Sequence, residues 1–78
     1  MKIARYYFNQ ARGKYVVDCI YNVVRETKTQ LVAVSGNNSY EYRFKKPSSE
    51  EPGTQVWPLH RERFSMFTYR IYDNELPF

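Results

Sequence analysis

Cys19 and His60 are each the only residue of their kind in the chain. A thiolate–imidazole pair would need them within hydrogen-bond reach, with a third group to orient the ring. Cys19 lies inside "KYVVDCIYNVVRET", on the alternate positions read as a core face, where a thiol behaves as a small hydrophobe. One Cys and one His also cannot supply the paired ligands that zinc sites use. The carboxylates are dispersed: Glu50 and Glu51 in a proline-containing stretch, Glu62 near His60, Asp73 and Glu75 in the tail. None has the spacing of a paired acid and base, and three scattered glycines make no phosphate-cradling loop. The reading is therefore of a protein that is not an enzyme, with no catalytic residues, no metal and no cofactor.

What remains is aromatic and basic. Eight Tyr, five Phe and one Trp exceed what a 78-residue core can hide with every hydroxyl satisfied, so some rings must reach the surface. Alternation along strands predicts which. With Ala4, Tyr6 and Phe8 facing the core, Arg5 and Tyr7 face out. With Phe67, Tyr69 and Ile71 inward, Arg70 and Tyr72 face out. If the first and last strands are neighbours, these four side chains form one patch, extended by Arg43 and Lys45 from a basic strand at its edge. Guanidinium and ammonium groups neutralise phosphates, and tyrosine rings stack on unpaired bases. The same residue types also favour protein interfaces.

A second candidate is "VWPLHRERF", which places the only tryptophan and the only histidine beside three charges. As a structural corner, Trp57 anchors the core or its rim, Pro58 stops a strand, Leu59 and Phe64 plug the barrel end through a short helical turn, and the charges are solvated. As a groove, Trp57, His60, Arg61 and Arg63 line a binding site.

The elements that must position these residues read as strands. "KIARYYF" runs into the turn "NQARGK", then into the long "KYVVDCIYNVVRET", whose Tyr15, Val17, Cys19, Tyr21 and Val23 form the inferred core face. A strand of that length must bend. "ETK" turns into "TQLVAVS", and "GNN" into "SYEYRFK", where Tyr40, Tyr42 and Phe44 alternate with Glu41, Arg43 and Lys45. "KPSSEEPGT" is a surface loop. "QVWPL" and "SMFTYRIY" complete the set. The chain reads as one all-β domain over residues 1–78: a small, mainly antiparallel SH3-like barrel of five or six strands with one short helical turn. An OB-like barrel and then an α+β sheet stand as alternatives.

"GKY" at 13–15, "IYNVV" at 20–24, "TQLVAV" at 29–34, and "VWPLHRERF" followed by "ELPF" resemble, in that order, a small bacterial SH3-like domain family of unknown function. Trp57 stands where that pattern has arginine, two extra residues separate Leu59 from Phe64, and the ending lacks the family's arginine. The resemblance implies a small β-barrel and no activity.

The formal net charge is +4. It is uneven: residues 1–49 carry nine Lys/Arg against three Asp/Glu, and residues 50–78 carry three against five. A basic face suits nucleic acid or an acidic protein partner. A lone cysteine and no apolar stretch of signal or membrane length predict a cytoplasmic protein with no membrane partner. Oligomeric state is not legible. Two functions follow as expectations: a non-enzymatic module that binds nucleic acid through the Arg/Tyr patch, or a small inhibitor or adaptor of phage or mobile-element type acting on a bacterial protein complex.

Overall fold

The computed structural model describes residues 1–36, 40–59 and 66–73. Six strands form: β1 Lys2–Asn9, β2 Lys14–Glu26, β3 Gln30–Ser35, β4 Glu41–Lys45, β5 Gln55–Pro58 and β6 Thr68–Tyr72. Each pairs antiparallel with the next, and β6 pairs with β1, so the sheet closes into a barrel. Closure pairs each strand on both sides within the barrel wall and leaves unpaired edges where β1 and β2 run past β6 and β3. Size and closure are those of a small SH3- or OB-like barrel, and the all-β expectation holds. The helical turn expected between Leu59 and Phe64 lies outside the described residues, except for Leu59.

The long strand bends where the sequence gives it an extra residue. β2 pairs with β1 until Cys19 opposes Arg5, then resumes with Val17 opposite Tyr6, leaving Asp18 unpaired as a bulge. A second bulge leaves Val24 unmatched between Val23 and Arg25 in the ladder with β3. Each bulge sharpens the twist and resets which side chains face inward. This corrects the uniform alternation read from the sequence. Cys19, Tyr21 and Val23 face the interior, whereas Val17 packs outside and Tyr15 is half exposed.

The interior is built around rings. Tyr21, Phe44 and Tyr69 meet near the barrel axis, with Phe44 centred 5.4 Å from each of the other two. Ile3, Leu31, Val56 and Ile71 complete the filling. Aromatic pairs in such geometry add roughly 0.5–1.5 kcal/mol beyond their area burial, which matters in a domain this small. Burial pushes the Tyr21 hydroxyl well above its ordinary range, so it stays neutral.

β1 takes the opposite phase from the one expected. Ile3 is fully buried in the main core, and Arg5 follows it inward, its Cζ 4.7 Å from the Phe67 ring centroid and 6.0 Å from that of Tyr21. Tyr7 lies on the same face, edge-on to Phe67. Charge in an alternating strand normally marks the solvent face. Here the ring faces receive the guanidinium, and the Asp18 carboxylate, brought round by the bulge, accepts its hydrogen bond. Ala4 and Tyr6 face outward instead. They are buried in a second small cluster with Tyr72, flanked by Val17 and Ile20.

β5 is short and lightly held. Its ladders comprise Phe44↔Pro58 and Lys45↔Trp57 with β4, and Gln55↔Arg70 and Val56↔Tyr69 with β6, and flanking hydrogen bonds from Leu59 to Arg43 and from Ile71 to Thr54 extend them. Pro58 ends the strand as expected, because it has no N–H for the ladder. Val56 turns inward, leaving Gln55 and Trp57 on the outside.

Candidate functional site

The concave surface with the most chemistry lies at the end of the barrel where β2 turns into β3 and β4 runs out towards β5. The turn at residues 27–29 is fixed by Thr27, whose N–H donates to the Gln30 carbonyl at 2.9 Å and whose hydroxyl oxygen accepts from the Gln30 N–H at 3.0 Å. Lys28 and Thr29 are thereby presented on its rim. The Lys46 N–H then donates to the Thr29 carbonyl at 2.9 Å, and its ammonium to the Thr27 carbonyl at 3.3 Å, tying the end of β4 to the turn. Thr54 and Gln55 approach from the far side after a turn at Pro52–Gly53, where φ of +94° requires glycine.

Between these walls is an open cleft of about 660 Å³ lined by Lys28, Lys45, Lys46, Ser48, Gln55 and Trp57, together with Thr29, Pro47 and Thr54. Three of its lining residues are cationic and none is acidic. Lys45 and Trp57 are cross-strand partners, so their side chains stand side by side on one face. Trp57 is 62% exposed, against the expectation that it would anchor the core. The reason is register: Val56 takes the inward position on β5, and its neighbours must point out. Leu59, expected to plug the barrel, is also half exposed.

Glu26 and Glu50 lie close enough to interact with each other and, for Glu50, with the Lys46 ammonium. Glu50 is held above the ordinary carboxylate range by its hydrogen bond to Glu26, then by desolvation and by the Glu26 charge, with Lys46 opposing.

The six residues expected to form one patch are not brought together. Arg5 and Tyr7 face the barrel interior, while Arg70 and Tyr72 face outward, since Arg5 opposes Tyr69 and Ala4 opposes Arg70 in the ladder. Tyr72 is 7% exposed, within the outer cluster, and Arg70 donates to the Gly53 carbonyl at 3.3 Å. Arg43 belongs to a surface network. Arg25 makes a two-pronged contact with Glu41 at 3.1 Å on each oxygen, and Arg43 stands 3.7 Å from the same carboxylate and donates to the Gln30 side chain at 3.0 Å. Arg25 and Arg43 flank Val32 in the ladders, and their aliphatic stems explain why this outward valine is fully buried. Of the six, Lys45 alone lines the cleft.

Of the alternative groove only one residue can be placed. Trp57 lies in the cleft, while His60, Arg61 and Arg63 fall outside the described residues. Lys28, Lys46 and Gln55 were missed. Their signal in the sequence was the Lys45–Lys46 doublet and a lysine at a tight turn, but nothing local says that the two meet.

Glu41 gives a direct check on the surface network. Its carboxyl is held below the ordinary range first by the Arg25 hydrogen bond, against desolvation, and then by the charges of Arg25 and Arg43. Any stability this adds is present above the unfolded-state pKa and is lost as pH falls through the folded one. In Arg25→Ala, the Glu41 side-chain resonance titrates at a higher pH than in the parent chain, nearer the ordinary carboxylate value. An unmoved titration would show that the two-pronged contact is not maintained in solution.

Cys19 packs against the core, its thiol 3.9 Å from the Ile20 carbonyl oxygen. Among the described residues no cluster of three metal-ligating side chains occurs, and no helix is long and apolar enough to cross a membrane. No family model, curated protein or solved structure matches the chain.

Proposed function

We propose that this protein is a non-enzymatic module that binds single-stranded nucleic acid in the Lys28/Lys45/Lys46/Trp57 cleft. The observation that carries the reading is the largely exposed Trp57 standing beside Lys45 at the mouth of a lysine-lined, acid-free hollow. An exposed indole presents a flat apolar face that a planar partner can cover. A base does so, stacking on its face without regard to sequence, while ammonium groups follow the phosphates on either side. Thr29, Ser48 and Gln55 add neutral donors and acceptors for sugar and base edges. Lysines give point-charge contact rather than the planar fork of arginine, which suits a flexible backbone better than one fixed phosphate geometry. The site thus differs from the Arg/Tyr patch read in the sequence, although the ligand class is the same.

The test is a salt titration with mixed-sequence single-stranded oligonucleotides. Three lysine–phosphate contacts on a single strand give a slope of log affinity against log salt of about −2, and roughly a 20-fold loss between 50 and 200 mM salt. Lys28→Ala, Lys45→Ala and Lys46→Ala each flatten that slope by about one or slightly less. No binding at low salt, or a slope indifferent to all three substitutions, would end the proposal.

A further inference from the structure

We infer that the β1–β2 hairpin is a second nucleic-acid contact, shaped to enter the major groove of a duplex. It lies at the other end of β2 from the cleft, and the inference does not depend on the cleft reading. The ladder between β1 and β2 continues to Asn9↔Lys14, whereas β6 stops at Tyr6 on one side and β3 begins only at Tyr21 on the other. Beyond those limits the two strands carry on as a ribbon without a third described strand.

The ribbon is held in shape. The Gly13 N–H donates to the Asn9 carbonyl at 2.8 Å, the Arg12 N–H donates to the Asn9 side-chain oxygen at 3.1 Å, and Gly13 takes φ of +64° to close the loop. Tyr15 packs edge-on to Phe8 at 5.1 Å and to Tyr6 at 5.6 Å, bracing the two strands on their outer face. An element this fixed loses little freedom on docking.

Its chemistry has one sign. From Tyr6 to Val17 there is no acidic residue, while Arg12 and Lys14 are exposed at the tip. The next acidic residue along the chain, Asp18, is paired with Arg5 at the base of the ribbon. Two strands about 4.8 Å apart, with side chains on both faces, match a major groove about 12 Å wide, which admits a two-stranded ribbon. Arg12 and Lys14 then meet phosphates on the groove walls. Phe8, 50% exposed, supplies the apolar surface that meets a thymine methyl, and Gln10 an amide for a base edge. An acidic protein would also answer the charge, but gives no reason for a projecting ribbon of this width.

The experiment measures anisotropy of a labelled duplex and of a labelled single strand against the parent chain and the Arg12→Ala/Lys14→Ala double variant at several salt concentrations. Both residues are exposed, so the urea midpoint stays put and confirms folding. For the duplex, the double variant lowers affinity and flattens the salt slope by about two. Binding of the single strand, followed by Trp57 fluorescence, is unchanged. Duplex affinity and slope that do not differ between the two chains overturn the inference, as does absence of duplex binding at low salt. Duplex binding abolished by Trp57→Ala but not by the double variant overturns it too, because the cleft then holds both ligands. Failure of the single strand to change Trp57 emission counts against the cleft proposal alone.

Discussion

Trp57→Ala weakens single-strand binding by roughly 5- to 150-fold, the span that corresponds to about 1–3 kcal/mol for one base stacked on an aromatic ring. The loss falls on the dissociation rate and hardly on the salt slope, because the indole touches no phosphate. Trp57→Phe recovers part of it. The residue is the only tryptophan in the chain, so its emission reports the cleft without ambiguity, and quenching on titration with oligonucleotide should track the anisotropy of the ligand. The outward position on β5 leaves the fold little dependent on the ring, and thermal midpoints of the parent and Trp57→Ala chains should agree within a few degrees. A large drop in midpoint would mean that Trp57 is a structural anchor after all. An unchanged affinity would place the ligand elsewhere.

Phe44→Ala removes about half of the domain's stability. Phe44 is fully buried and is the ring that touches both Tyr21 and Tyr69. Removing a buried phenyl group costs about 3–5 kcal/mol through lost transfer energy and the cavity left behind. A 78-residue domain has about 4–12 kcal/mol in total. Urea unfolding followed by near-ultraviolet dichroism should show the midpoint falling by about half or more, with Phe44→Leu in between. A midpoint within a tenth of the parent's would contradict the inward phase of β4, and with it the outward placing of Lys45.

Much of the barrel is legible in the sequence because strands obey a period of two. Tyr42 and Phe44 turn in while Glu41, Arg43 and Lys45 turn out, as the alternation in "YEYRF" implies. Phe67, Tyr69 and Ile71 likewise belong to the interior. What alternation cannot supply is phase where both sets of positions contain large rings. In "KIARYYF" either Ile3–Arg5–Tyr7 or Ala4–Tyr6–Phe8 could face the core, and Arg5 tips the choice the wrong way, because a guanidinium over two rings is a tertiary arrangement with no local signature. The bulges at Asp18 and Val24 are equally silent in the sequence, and each shifts the phase of everything beyond it. The cleft was visible only in fragments. Trp57 and Lys45 stood out as residues suited to binding, but their side-by-side placing comes from the β4–β5 register. Lys28 reaches them through a turn far away in sequence.

The light attachment of β5 has a consequence for how the protein would respond to a ligand held in the proposed cleft. With two ladder pairs to each neighbour, extended by the flanking hydrogen bonds from Ile71 to Thr54 and from Leu59 to Arg43, this strand has the shortest ladders in the wall, and its amides should exchange with solvent ahead of those in β1 and β2. Lys45 and Trp57 stand on opposite sides of the β4–β5 junction, so anything gripped by both spans the weakest joint and holds it shut. Occupancy and local rigidity would thereby be linked: a ligand bound there would slow the opening, and whatever slows the opening would tighten its hold.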